Sequence, residues 1–355
     1  MKKDLIVGSG LSAFITKILT KKKSKIIGLC NHKDIIKSKY LIRRDKLEKN
    51  KFLSKKAFSF GSLYWNVKKG TLHDRLTNGG NSNIWGGHIS LKNISKSIIK
   101  VLQKKKIKFE ILNLKKTGSI SNNKNIAQMQ TFNNKIFSTK DNSIKIKNGY
   151  LDSIIANKKK LFVKILLAEN KIKNFEINKI YLCVGLIQLI DLLYRSKFIK
   201  NGDIIELSEF LHKFKINHVK SKFVTNNITI RYSLSSAINH LLGIQYYSKI
   251  FKLLDLIPLC IDQNFYYKKI KFRFKINTGI VNEITKRNNL NYSFGSSIHY
   301  CNMKINNIKV RKFLKKINPN IHGFGMPFVN QQNPGPISND IIKDIFNEIN
   351  KLKIS

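Results

Sequence analysis

Residues 8–13 read Gly-Ser-Gly-Leu-Ser-Ala, the spacing G-x-G-x-x-A. The chemistry that such a run offers is the binding of a pyrophosphate. Gly8 permits the turn, Gly10 lets phosphate oxygens approach bare backbone, and Ala13 lets a following helix pack closely on a sheet. The amides of Leu11, Ser12 and Ala13 then lie at a helix N-terminus, whose dipole favours an anion. The competing reading is a glycine turn that serves packing alone. A dinucleotide unit of this kind usually ends its second strand on an acidic residue for the ribose hydroxyls. Asn31 and His32 hold that place here. Each can hydrogen-bond a hydroxyl, but neither supplies a carboxylate.

A second run, residues 78–87, reads NGGNSNIWGG, with Gly79, Gly80, Gly86 and Gly87 around Asn81, Ser82, Asn83 and Trp85. Glycine at this density lowers helix and strand propensity. It also lets the backbone come close to another body. That body is another strand, a phosphate or the flat ring of a cofactor. Ser12 and Ser82 lack the G-x-S-x-G elbow of a nucleophilic serine. Cys30, Cys183, Cys260 and Cys301 stand far apart, with no CxxC. They read as free buried thiols in a reducing compartment, and no metal site is expected.

The elements that must position these residues follow from periodicity. DLIV (4–7) reads as a short strand, and LSAFITKILTKKK (11–23) as a helix with Leu11, Phe14, Ile15, Ile18 and Leu19 on one face. SKIIGLC (24–30) is a second buried strand. A helix over 94–106 leads into a strand at 107–112, and 115–150 is rich in loop residues. From 161 to 194 the pattern predicts two strands joined by a turn, a third apolar strand, then Gly185 and a helix. ITIRYSL (228–234) and KIKFRFKI (269–276) alternate with a period of two. The fold class is therefore α/β over the first two thirds and antiparallel from about 200 to 290. The lysine runs at 21–23, 104–106 and 158–160 read as solvated helix ends and loop charges.

With 67 Lys and Arg against 20 Asp and Glu, the 355-residue chain carries a formal charge of +47. Such a charge points to nucleic acid or an anionic surface. Lys, Asn and Ile are all abundant and share A/T-rich codons, so genome composition is the competing source, and no specific nucleic-acid partner is expected. No uninterrupted apolar run is long enough to span a membrane. The start MKKDLIVGSGLSAFITKIL imitates a signal peptide, but Asp4 interrupts its apolar run. A cytoplasmic protein is expected.

Five stretches, in chain order, resemble the glucose–methanol–choline (GMC) oxidoreductases. GSGLSA sits where that family binds the pyrophosphate. NGGNSNIWGG is similar to its glycine-rich segment along the flavin. INKIYLCVGLIQLIDLLYRS resembles its strand–Gly–helix segment, which places Gly185 beside the FAD. SSIHYCNM and NPGPISNDIIKDIF resemble its catalytic His segment and its Asn-Pro segment before a closing helix.

The resemblance implies FAD and a fold with an FAD-binding Rossmann-like domain plus a smaller antiparallel-sheet substrate domain. Residues 1–35, 60–200 and 291–355 would form the first, 201–290 the second, and 36–59 a basic excursion. His299 corresponds to the base that takes an alcohol's hydroxyl proton while hydride passes to flavin N5, and Asn333 to the amide that steadies the alkoxide. Pro334 biases Asn333 toward an extended conformation. Read alone, His299 is a satisfied, partly buried histidine. His322 reads as a turn residue beside Gly323, with pocket lining as the alternative. His88 is placed for a flavin tether only by the resemblance, and Trp85 packs near the ring or in the core. The implied function is FAD-dependent oxidation of an alcohol, a class that in the resembled family includes sugar and sugar-linked hydroxyls, with the electron acceptor open. The alternatives are flavin chemistry on another substrate, or a basic binding protein that keeps the fold without redox activity.

Overall fold

A computed structural model describes residues 3–20, 25–28, 57–66, 88–104, 107–111, 126–130, 147–167, 172–214, 229–233, 258–262, 265–285, 300–330 and 337–354. Strand β1 (Lys3–Val7) lies between β2 (Lys25–Gly28) and β10 (Ile172–Leu182), parallel to both. Strand β18 (Ile321–Gly323) adds parallel to the far side of β10. Leu5, Ile6 and Val7 are all buried, as a central strand covered on both faces requires. Ile6 enters the core of the helix α1 (Leu11–Leu19) layer, whereas Leu5 and Val7 enter the opposite core.

The opposite layer is an antiparallel meander: β8 (Lys147–Ala156), β9 (Leu161–Leu167) and the first half of β10. The sequence predicts a break between two strands in this last stretch, yet β10 runs unbroken for 11 residues. Its first half pairs with β9 and its second half with β1, so both halves have ladder partners and no turn is needed. β8 also pairs with the end of β2, so β1, β2, β8, β9 and β10 close a hydrogen-bonded circuit.

Two helices cover the α1 side. α2 (Lys96–Lys104) begins where Ser95 Oγ accepts from the Ile98 amide at 3.3 Å, a serine cap. The last helix runs Ile337–Ile354 and buries Ile337, Ile341, Ile342, Ile345, Phe346 and Ile349, the stripe that a 3.6-residue period dictates. On the meander side, α3 (Leu186–Arg195) is buried over nearly its whole length. α4 (Val310–Ile317) packs against β18, and the last helix is α5.

The second large sheet has the order β17 (Ile308–Lys309), β16 (Cys301–Ile305), β11 (Ile204–Phe214), β14 (Phe265–Asn277), β15 (Ile280–Glu283), β4 (Leu63–Asn66), β3 (Ala57–Phe60). The period-two expectation at 269–276 holds in β14: Phe272, Phe274 and Ile276 face the core while Lys271, Arg273 and Lys275 face out. Trp65 meets Phe274 edge-on, with ring centroids 5.8 Å apart. Two small sheets complete the described chain: β5 (His88–Ser90), β7 (Ile126–Gln130) and β6 (Lys108–Ile111) in one, β12 (Thr229–Ser233) and β13 (Pro258–Asp262) in the other. Among the described residues, no helix is long and apolar enough to cross a membrane.

One buried carboxylate ties the two large sheets together. Asp191 of α3, with no exposed surface, accepts from the Ser62 amide at 2.8 Å, from Arg195 Nε at 2.8 Å and from the Tyr150 hydroxyl at 3.1 Å. Arg195 in turn donates to the Tyr150 oxygen at 2.6 Å and lies over its ring. Gly61, at φ +56°, lets the β3–β4 turn come so close that a Cβ there would stand 2.3 Å from the carboxylate. Asp191→Ala should therefore cost about 2–4 kcal/mol, because it leaves the Ser62 amide and Arg195 Nε without their acceptor, although Arg195 keeps its ion pair with Asp152. Urea denaturation measures this loss. Gly61→Ala should destabilise as well, through both its φ and the clash.

Candidate functional site

In open α/β sheets ligands bind outside the carboxyl ends of the strands, where the strand order reverses direction. From β1 the chain moves outward to β2, while β10 and then β18 add on the other side, so the reversal lies between β1 and β10. Residues 8–10 follow β1 at this point and residues 183–185 follow β10.

Gly8 has φ +116°, and a Cβ on it would stand 2.3 Å from the Cys183 carbonyl oxygen. The Cys183 amide donates to the Val7 carbonyl at 2.8 Å, which keeps the two strand ends this close. Gly8 thus serves the turn and strand packing together. Gly10 caps α1 in an extended conformation and offers no side-chain cap, and the first turn holds no acidic residue. Gly185 caps α3 in the same way, again with no acidic residue in the first turn. Two helix N-termini therefore open at adjacent strand ends, on opposite faces of the sheet, without a carboxylate of their own. That arrangement suits an anion.

The segment after β18 forms a further wall. Gly325, at φ +109°, lies against the start of α1, and a Cβ there would stand 2.9 Å from Ser12 Oγ. Phe328 folds back over Gly323, and Arg311 holds that turn by donating to the Gly323 carbonyl at 3.1 Å and to Asp344 Oδ1 at 2.9 Å. This wall is the run GFGMPF, residues 323–328. Its contact with Ser12 spans more than 300 residues of chain, and no local pattern reports that. Leu11, Ser12 and Ala13 are buried where β1, β10 and β18 converge.

Cys183 fits the reading as a free buried thiol. Desolvation pushes its pKa up to about 12, and Thr16 Oγ1 lies 3.6 Å from its sulfur. A neutral thiol of this kind is not a nucleophile. Cys301 is also free and buried, against Ser208. No group of metal-ligating side chains occurs among the described residues.

His322 departs from expectation. It is a buried residue within β18, not part of the turn. Its register opposite Tyr181 puts the two rings in a stack 5.4 Å apart, facing the helix layer. Its Nε2 has no hydrogen-bond partner. Asn31, His32, Gly79, Gly80, Asn81, Ser82, Asn83, Trp85, Gly86, Gly87, His299, Asn333 and Pro334, which the sequence marks as candidates, lie outside the described residues, as does the side chain of His88.

No family model matches the chain, and no curated protein matches it. Among solved structures, AlpK is similar at 6% identity and a TM-score of 0.33, over 98% of this chain and 61% of AlpK. The p-nitrophenol 4-monooxygenase PnpA from Pseudomonas putida DLL-E4 aligns at 6% identity, TM-score 0.31, over 79% of this chain and 71% of that one. A flavoprotein/dehydrogenase from Cytophaga hutchinsonii aligns at 10% identity, TM-score 0.30, over 80% of this chain and 72% of that one. Superpositions at such scores carry no argument about this chain, and the site stands on its own geometry.

Burial, and then the charges of Lys179, Lys315 and Arg311, lower the His322 pKa to about 4, against a smaller opposing pull from Glu348. The folded imidazole is neutral while the unfolded one protonates near 6.5. Between those values the unfolded state binds more protons, so stability falls as pH drops from about 6.5 to 4, by on the order of 3 kcal/mol. His322→Phe should remove this component, which urea denaturation at a series of pH values would show as a flatter profile than wild type.

Proposed function

We propose that this chain is an FAD-dependent oxidoreductase that dehydrogenates an alcohol. One observation carries the cofactor half of the reading: the glycine-capped start of α1, free of acidic side chains, at the β1–β10 reversal. The residues present fit a dinucleotide. Bare backbone at Gly10 would leave room for a diphosphate, Gly8 giving the turn that brings it there, and the amides at the start of α1 would face its charge. Gly185 and the start of α3 would flank the ring system from the neighbouring strand end.

The chemical half rests on the sequence resemblance. Bound FAD would supply the hydride acceptor. Residues 79–87 would lie along the ring, with Gly79, Gly80, Gly86 and Gly87 giving close backbone approach. Asn31 and His32 would donate to or accept from ribose hydroxyls. His299 would take the hydroxyl proton, and Asn333, oriented by Pro334, would hydrogen-bond the developing alkoxide. A sugar or sugar-linked hydroxyl falls within the range of the resembled family.

Purified protein should be yellow and show flavin absorbance. Gly10→Val should abolish flavin retention, because its side chain would occupy the place of the phosphate. Circular dichroism and thermal melting check that the variant is folded. A folded Gly10→Val protein with full flavin occupancy would falsify the cofactor assignment.

The base is tested separately. His299→Ala should keep its flavin and slow flavin reduction by an alcohol by on the order of 10²-fold or more. Asn333→Ala should slow the same step through weaker stabilisation of the alkoxide. Stopped-flow absorbance measures both, and an unchanged rate in His299→Ala would remove it from the mechanism.

A further inference from the structure

The outward face of the second sheet carries cations and exposed apolar side chains side by side. Along β14, Lys271, Arg273 and Lys275 point away from the core in alternation with Phe272, Phe274 and Ile276. Alternate residues of a strand stand roughly 6–7 Å apart, so the three cations form one short straight row. Across the strands the row through Arg273 continues to Glu206, Lys304 and Lys309 on one side and reaches Ile284 on the other. The row through Lys275 continues to Asn282 and Asn66, whose side chains hydrogen-bond at 3.2 Å. Beyond it Ile280 pairs with Tyr64.

Five cations thus share these rows with one carboxylate. Glu206 is already engaged, 3.5 Å from Lys304 and 3.9 Å from Arg273. The uncompensated charge lies next to an apolar margin: Tyr64 is 44% exposed, Ile280 39% and Ile284 37%. Ile280 and Ile284 flank Asn282 at alternate positions along the chain and Tyr64 pairs with Ile280, so the three are contiguous, and contiguous exposed apolar surface beside polar residues marks an interaction site.

We propose that this face docks on an anionic membrane surface. Charge complementarity selects the partner's sign, since each Lys or Arg near an anionic bilayer favours binding. The margin selects a bilayer over a nucleic acid. Tyr64 has an apolar ring with a polar tip, which suits the headgroup boundary, and Ile280 and Ile284 have acyl chains to enter. A phosphate backbone offers those isoleucines nothing. Tyr64 is the one exposed aromatic described on this face, whereas strand-tracking nucleic-acid sites stack successive bases on several aromatics. The contact is peripheral, made by side chains of a folded sheet, and needs no spanning segment.

The whole chain is basic, so the test must separate this face from the net charge. Full-length protein is co-sedimented with vesicles of phosphatidylcholine alone and of phosphatidylcholine with phosphatidylglycerol, at physiological ionic strength. Wild type should bind only the anionic vesicles. The triple variant Lys271→Glu, Arg273→Glu, Lys275→Glu should bind them on the order of 100-fold more weakly. The control Lys96→Glu, Lys100→Glu, Lys104→Glu changes net charge equally on exposed positions of α2 and should lose at most a few-fold. Equal losses in the two variants would show that only total charge matters and would overturn the proposal. Tyr64→Ser with Ile280→Ser should weaken vesicle binding without changing affinity for duplex DNA; vesicle binding equal to wild type overturns the bilayer assignment, and a matching loss on DNA assigns the face to nucleic acid instead. Should the glutamate triple fail to fold, Lys271→Gln, Arg273→Gln, Lys275→Gln gives the same reading with a smaller loss.

Discussion

The structure turns on how closely the ends of β1 and β10 approach. The Cys183 amide bonds to the Val7 carbonyl, and Gly8 yields the space where a side chain would strike the Cys183 carbonyl. Only a residue without Cβ, at φ +116°, satisfies both. Two helices on opposite faces then begin within a few residues of this contact, each capped by glycine. The parallel ladder on either side, β2 beyond β1 and β18 beyond β10, extends from this contact. Gly325 and Phe328 close over the same point from the far end of the chain.

A second joint sets the larger arrangement. α3 begins at the reversal point, and its other end carries Asp191 and Arg195, which hold Ser62 and Tyr150. One ten-residue helix therefore runs from the candidate anion site to the hinge between the two large sheets. A buried carboxylate is costly to desolvate, and here three donors offset that cost. The same logic operates at Arg311, where the guanidinium joins α4, α5 and the β18 turn through Asp344 and the Gly323 carbonyl.

Much of this was legible in local pattern. The G-x-G-x-x-A run predicts strand, turn and helix, and β1 and α1 have that form. The alternation in KIKFRFKI predicts one buried and one open face, as β14 shows. What was not legible depends on partners distant in sequence. β10 continues through a stretch that looks like a strand boundary because β9 and β1 take over from each other along it. His322 looks like a turn residue because two glycines follow it, yet pairing with Tyr181 extends the strand through it. Asp191 looks like an interruption in an apolar helix, and two of its three donors lie 41 and 129 residues away. The glycine-rich run at 79–87 and the pair His299 and Asn333 fall outside the described residues, so their readings rest on sequence.

Charge gives these features a common physical cause. Only 20 acidic residues stand against 67 basic ones. Several of the described carboxylates sit at joints: Asp191 between the sheets, Asp344 and Glu348 on α5 against Arg311 and Lys315, and Glu206 between Arg273 and Lys304. Used there, they are absent from the first turns of α1 and α3, where an acid would neutralise the dipole. They are equally scarce on the open face of the second sheet. Codon bias can set how many lysines a chain has, but packing decides where the few compensating acids go. Among the described residues, the helix starts at the strand reversal and the outer rows of β14 are both short of acids, and both present an anion with a surface it need not desolvate a carboxylate to reach.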